Sequence, residues 1–125
     1  MDGIHFVAIL AVVQYLYFGF LVGKARSKYH IKPPAVGGNE HFERALRVQL
    51  NTLEQLVAFL PALYIAAYYW SNWIVLPLGI LYLVGRMFYQ TSYTTTPDSR
   101  APGFLLTVVP TMLLLAFGLL GVLFM

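Results

Sequence analysis

The sequence predicts an all-α membrane protein, a bundle of four transmembrane helices in a single domain that covers residues 1–125. The first reason is composition: 59% of the 125 residues are hydrophobic and only 10% are charged, whereas soluble domains carry about 25% charged residues. A chain this short cannot bury so much apolar surface in one core. The second reason is that four apolar stretches approach the length of roughly 20 residues that crosses a bilayer.

The four predicted helices follow one another with short connections. The first runs from about Ile4 to Gly23 and contains no charged residue, and the second runs from about Arg44 to Trp70 with a polar first half. The third runs from about Trp73 to Tyr93, and the fourth runs from Pro102 to Met125. The amino terminus lacks the positive region and small-residue cleavage site of a signal peptide, so the first helix is expected to be retained.

The third reason is that basic residues concentrate on one side of the predicted membrane topology. The first and third connections, about residues 24–41 and 94–101, share a side. The eight Lys and Arg residues lie in or beside them: Lys24, Arg26, Lys28, Lys32, Arg44, Arg47, Arg86 and Arg100. By the positive-inside rule this side faces the cytoplasm, with both termini opposite. We expect the membrane to be a bacterial inner membrane or the endoplasmic reticulum.

The residues that are absent or badly spaced exclude several kinds of site. There is no cysteine, which excludes disulfides, iron–sulfur clusters and thiolate zinc sites. His5, His30 and His41 lack the spacing of metal ligands, and no phosphate-binding glycine loop or nucleophile elbow is present. We therefore expect no metal cofactor and no nucleic-acid partner, and any thiol chemistry must use the sulfur of a substrate.

Polar side chains occupy one side of the first half of the second helix. They fall on an arc of roughly 100° and are Arg44, Arg47, Asn51, Glu54 and Gln55. Gln49 points elsewhere and is expected to face a different neighbour. Ionisable groups at membrane depth normally face the bundle interior and find partners. The stripe therefore indicates either an internal ion pair, such as Arg47 with Glu54 or Glu43 with Arg47, or a ligand site.

The third helix carries a second stripe, in which Tyr82, Arg86, Tyr89 and Tyr93 are spaced four, three and four residues apart. This spacing places them within an arc of about 60°. Tyrosines near a membrane boundary often form only an aromatic belt, but a lipid-facing belt needs no arginine in register. Both stripes lie towards the cytoplasmic ends of their helices, so we expect them to meet in a polar cleft.

The residue types in this cleft suggest the charge of its ligand. Arginines bind carboxylates through paired hydrogen bonds, whereas a buried Glu54 suits an ammonium group. A zwitterionic ligand with net negative charge is therefore expected, and glutathione, with two carboxylates, one amine and a thiol, fits. Arg100, before the fourth helix, is either a snorkelling residue that sets topology or a cation that lowers the pKa of a bound thiol from about 8.5.

Two motifs resemble a known family, the membrane-associated proteins in eicosanoid and glutathione metabolism (MAPEG). The first is Glu43-Arg44-x-x-Arg47-x-x-x-Asn51-x-x-Glu54 and the second is Gly85-Arg86-x-x-Tyr89-x-x-x-Tyr93, and Arg26 and Pro33-Pro34 also match. The family includes microsomal glutathione transferases, leukotriene C synthase and the five-lipoxygenase activating protein. The resemblance implies a homotrimer that binds glutathione as co-substrate between adjacent subunits.

The resemblance also implies a role for individual residues. The glutathione contacts from one subunit would be Arg47, Asn51, Glu54, Arg86, Tyr89 and Tyr93. Arg26 and Gln49 would come from the neighbouring subunit. Arg100 is similar in position to the arginine thought to activate the thiol in catalytic members.

Three positions depart from the leukotriene-forming branch, which has a tyrosine at Gln55, a second arginine at Ser27 and a glycine at Ser92. These departures favour a general detoxification enzyme, a glutathione transferase or peroxidase that acts on lipophilic electrophiles or lipid hydroperoxides from the membrane lipid. The alternatives are a leukotriene C synthase-type conjugase and a non-catalytic lipid-binding scaffold similar to the activating protein. A small transporter or channel subunit is a third alternative, supported only by the buried charges.

Overall fold

The computed structural model describes residues 1–125 and confirms four helices. They are α1 (Asp2–Tyr29), α2 (Glu40–Tyr69), α3 (Asn72–Thr95) and α4 (Ala101–Phe124). A single 3₁₀ turn, Pro97–Ser99, joins α3 to α4. All four helices are long and apolar enough to cross a membrane. The four helices therefore alternate in direction. Residues 30–39 and 96–100 lie at one end of the bundle, and both termini lie at the other end.

Two helices extend further at this end than the hydropathy predicts. α1 continues through residues 24–29 and stops at His30, whose left-handed φ of 56° ends the helix. Lys and Arg are good helix formers, so their charge ends the apolar span without ending the helix. α2 begins at Glu40 instead of Arg44, because Asn39 caps it by accepting hydrogen bonds from the backbone N–H groups of His41 and Phe42 at 2.9 and 3.2 Å.

The core lies between all four helices. Its fully buried apolar side chains include Ile4, Phe59, Leu63, Val75 and Leu114. Outside the core, large apolar side chains are exposed along every helix, among them Phe6, Val57, Ile80 and Leu123. An exposed apolar surface of this extent fits a protein that is surrounded by lipid.

A pair of glycines brings α3 and α4 unusually close together. A Cβ atom built on Gly103 would lie 2.6 Å from the backbone N of Tyr89, and one built on Gly85 would lie 2.7 Å from the backbone C of Leu106. Real Cβ atoms do not approach other atoms this closely, so both positions need glycine. Small residues allow such close contact between membrane helices. The crossing sets the start of α4 against the part of α3 that carries Tyr89, and Arg100 immediately precedes α4.

Candidate functional site

A cleft of about 710 Å³ opens at the end of the bundle that holds the two longer connections. It is lined by Arg47, Asn51, Tyr89, Tyr93, Asp98, Arg100, Ala101 and Phe104. This volume lies within the range of roughly 300–1,000 Å³ typical of small-molecule sites. α2, α3 and the start of α4 all contribute to it, so the two polar stripes do share a crevice, although only in part.

α2 supplies Arg47 and Asn51 to the cleft. The Asn51 side chain is buried, and its Oδ1 atom has no hydrogen-bond partner. An unpaired buried acceptor is costly, so this oxygen is suited to receive an N–H group from a ligand. Arg47 Nη1 lies 3.6 Å from Glu54 Oε1, and both side chains are at least half exposed, at 50% and 60%.

Glu54 differs from the expectation of a buried carboxylate, since its side chain is mostly exposed and does not line the cleft. The helical periodicity correctly predicted that Glu54 lies on the same side of α2 as Arg47. No other helix of the same chain covers the Glu54 side chain. Of the ion pairs considered from the sequence, Arg47 with Glu54 is formed. An exposed pair of this kind contributes only about 0–1 kcal/mol, so it does not prevent Arg47 from binding an anion.

The stripe on α3 divides into a cleft half and a buried half. Tyr89 and Tyr93 line the cleft, and their rings stack 5.5 Å apart at an interplanar angle of 8°. Tyr82 and Arg86 share the same face but are fully buried below the cleft. Tyr82 lies about 16 Å from Tyr93 along the helix axis, at 1.5 Å per residue. Residues on the same face of a helix can therefore have completely different surroundings when they lie at different positions along its axis.

Arg86 is a buried cation held by hydroxyl groups. Its Nη2 donates to Thr52 Oγ1 at 3.0 Å and its Nη1 donates to Thr107 Oγ1 at 3.4 Å, and no carboxylate lies within 4.0 Å. The two hydroxyls donate their own protons to the backbone oxygens of Val48 and Gly103, which leaves their oxygens free to accept from Arg86.

The same guanidinium lies 4.5 Å from the centre of the Tyr89 ring. Such an approach is attractive because the face of an aromatic ring carries negative charge. Arg86 therefore contacts the cleft through Tyr89. Thr52 and Thr107 were not predicted as site residues, although hydroxyls within apolar helices at the depth of an arginine could have indicated them.

The turn between α3 and α4 brings Arg100 to the cleft. Arg100 Nη1 donates to the backbone oxygen of Pro97 at 3.3 Å. The Ser99 hydroxyl donates to the backbone oxygens of Thr96 and Ser92 at 2.7 and 3.4 Å, and Ser99 does not line the cleft. Its two chain neighbours, Asp98 and Arg100, both line the cleft. Asp98 was not predicted as a site residue, and its position two residues before Arg100 was the available indication.

Arg26 and Gln49 do not line the cleft. Arg26 Nη1 donates to the backbone oxygen of Ala35 at 2.8 Å, and its guanidinium lies 4.7 Å from the Phe42 ring. Gln49 lies against α1, since a Cβ atom on Gly19 would be 2.7 Å from Gln49 Nε2. Within one chain these two residues therefore belong to the contact between α1 and α2.

Comparison with known proteins gives a match over almost the whole chain, because the model of the MAPEG family covers residues 4–120. The chain belongs to the MAPEG family. An uncharacterized protein of Synechocystis sp. is 44% identical over 117 residues, which are 94% of this chain and 85% of that protein.

Two named relatives are similar over the same extent. Microsomal glutathione S-transferase 2 of Homo sapiens is 39% identical over 116 residues, 93% of this chain and 79% of that protein. Leukotriene C4 synthase of Rattus norvegicus is 31% identical over 117 residues, 94% of this chain and 78% of that protein. The resemblance found in the two motifs is confirmed, and with four apolar helices the chain is an integral membrane protein.

Proposed function

We propose that this MAPEG protein is a membrane glutathione transferase that activates the glutathione thiol for attack on lipophilic electrophiles. The observation that carries the proposal is the cleft, in which two arginines, an unpaired buried amide oxygen and two stacked tyrosines surround about 710 Å³. The named relatives support it, since both are 31–39% identical over more than nine-tenths of this chain.

Glutathione is complementary to these groups. Arg47 binds a carboxylate of glutathione, and Glu54, which pairs with Arg47 just outside the cleft of the single chain, receives the ammonium group. Asn51 Oδ1 accepts a hydrogen bond from a peptide N–H, and the phenols of Tyr89 and Tyr93 bind the remaining polar atoms. Arg86 cannot reach this ligand in the present geometry, because it is fully buried, so its contribution is to hold Tyr89.

Arg100 promotes the chemical step by stabilising the thiolate of bound glutathione. A pKa lowered by about two units from 8.5 would leave most of the bound thiol ionised at neutral pH. With a halonitrobenzene, the thiol proton goes to solvent, the sulfur bonds to the ring carbon and halide leaves. With a lipid hydroperoxide, the same thiolate attacks the terminal oxygen, and a second glutathione completes reduction to alcohol, water and glutathione disulfide.

We further propose that the protein works as a homotrimer. Arg26 and Gln49 do not line the cleft of their own chain, and Arg47 and Glu54 remain half exposed on α2. A neighbouring subunit packed against this face of α2 would cover the pair and bring its own Arg26 and Gln49 to the ligand. The cleft would face the cytoplasm of a bacterial inner membrane or of the endoplasmic reticulum, and no metal takes part.

The test uses the purified protein in detergent with glutathione and 1-chloro-2,4-dinitrobenzene. Arg100→Ala should lower kcat at pH 7 by about 25-fold, the loss expected when a thiol pKa returns from about 6.5 to 8.5. The deficit should shrink as the pH rises, because the thiol then ionises without help. Calorimetry should show nearly unchanged glutathione binding. Lys28→Ala, which alters a cation outside the cleft, is the matched control.

Two results would contradict the proposal at different levels. Full activity of Arg100→Ala at pH 7 would remove Arg100 from the mechanism and leave glutathione binding intact. Failure of the unmodified protein to bind glutathione in calorimetry would exclude the transferase altogether and favour the lipid-binding scaffold.

A further inference from the structure

Asp98 is an exposed residue of the 3₁₀ turn between α3 and α4, and it lines the cleft. The Ser99 hydroxyl bonds to the backbone oxygen of Thr96 at 2.7 Å and contacts that of Ser92 at 3.4 Å. These bonds tie the 3₁₀ turn to the end of α3, and Ser99 itself does not line the cleft. The residues on either side of it, Asp98 and Arg100, both line the cleft.

The Asp98 carboxylate has no partner of its own. No basic side chain lies within 4.0 Å of it and no side-chain hydrogen bond satisfies it, whereas Glu40 pairs with Arg44 and Glu54 with Arg47. It is the one acidic residue among the eight that line the cleft. Its negative charge is therefore available to act on whatever enters the cleft beside Arg100.

We infer that Asp98 makes the second-substrate site selective for uncharged lipophiles and against electrophiles that carry a carboxylate. The inference rests on the proposed function, since it concerns the molecule that reacts with bound glutathione. An electrophile must bring its reacting atom to the sulfur beside Arg100, and Asp98 is two residues from Arg100 on the same wall.

The charges present in the cleft when an electrophile approaches bound glutathione favour this selectivity. Bound glutathione thiolate carries three negative groups and one positive group, so it occupies the cations of the cleft. Arg100 is then engaged by the sulfur and Arg47 by a carboxylate. A carboxylate on the incoming electrophile then approaches the negative charge of Asp98, and neither arginine is free to neutralise that carboxylate. Charges of like sign repel over several ångströms at a protein surface, less so at high salt.

The experiment compares 4-chloro-3,5-dinitrobenzoate with its methyl ester, which share one reacting carbon and differ in charge. The quantity measured is the ratio of kcat/KM for the acid to that for the ester, because intrinsic reactivity cancels between variants. Asp98→Asn should raise this ratio by about 2- to 5-fold at low salt, the range of exposed charge interactions. The increase should diminish in about 0.5 M KCl, where screening is short-ranged.

Two further variants serve as controls. Asp98→Glu keeps the charge and should keep the low ratio of the unmodified protein. Asp2→Asn removes a carboxylate at the opposite end of the bundle and should leave the ratio unchanged, which controls for net charge.

The possible outcomes separate this inference from the proposed function. An unchanged ratio in an Asp98→Asn protein that still conjugates the ester would overturn the inference and leave the transferase standing. An unchanged ratio with a raised KM for glutathione would overturn it and assign Asp98 to glutathione binding. If the unmodified protein conjugates neither compound, the proposed function fails and the selectivity of Asp98 falls with it.

Discussion

Replacement of Thr52 by valine removes the oxygen that accepts the shorter of the two hydrogen bonds from the buried Arg86 guanidinium. Valine has nearly the same shape as threonine, so the change leaves no cavity. The 3.0 Å bond to Thr52 is lost, and only the 3.4 Å bond to Thr107 remains, while Arg86 Nε already lacks a partner. The buried cation is then poorly satisfied.

The size of the effect follows from the charge of the donor. Hydrogen bonds within membrane bundles average about 0.6 kcal/mol in double-mutant cycles, whereas bonds to charged groups contribute about 1.5–3 kcal/mol. We expect Thr52→Val to lower the free energy of unfolding by about 1–3 kcal/mol. Thr107→Val should cost less, because its bond is longer than the usual range of about 2.7–3.2 Å.

The assay is unfolding of the detergent-solubilised protein by titration with sodium dodecyl sulfate, followed by circular dichroism. Thr111→Val is the matched control, because Thr111 is buried on the same helix as Thr107 and its hydroxyl bonds only to a backbone oxygen. If Thr52→Val and Thr111→Val destabilise the protein equally, the hydroxyl of Thr52 does not support Arg86 and the account of this buried cation is refuted.

Three more predictions concern the cleft. Gly103→Ala should lower the unfolding free energy by about 1–3 kcal/mol through overpacking against Tyr89. Gly23→Ala is the control and should not lower it, because no atom lies within 4 Å of its added Cβ. Equal melting curves for the two variants would refute the close crossing of α3 and α4. Asn51→Leu should raise the KM for glutathione about 10-fold through loss of one hydrogen bond, and an unchanged KM would place glutathione elsewhere. Covalent crosslinking should trap a trimer, and a Glu54→Lys variant should weaken it; a strictly monomeric protein that remains active would contradict the shared site.

The positions of the helices could be predicted because hydropathy measures the cost of exposing side chains to lipid. The ends could be predicted less well. Residues 24–29 are polar and still helical, since nothing in their sequence breaks a helix before His30. The start of α2 could have been predicted from Asn39, which is a good N-cap residue, but the prediction began the helix only at about Arg44.

The helical face on which each site residue lies could be predicted, but its burial at a given depth along the helix could not. Periodicity correctly placed Arg47, Asn51, Tyr89 and Tyr93 where they share a cleft. It could not show that Arg86, on the same face as Tyr89, is covered by α4, because helical angle carries no information about which neighbour lies opposite. The exposure of Glu54 is a property of the single chain, and its surroundings in an assembly depend on contacts that one sequence does not specify.

The close approach of α3 and α4 has a consequence for how the cleft can change. At Gly103 and Gly85 the two helices touch through main-chain atoms, so the separation of α3 and α4 on that side of the cleft is set by the backbone and not by the side chains that line it. Substitutions at Ala101 and Phe104, which line the cleft from α4, would then leave that separation unchanged. Variation at these two positions would reshape the cleft while the main chain that carries Tyr89 stays in place.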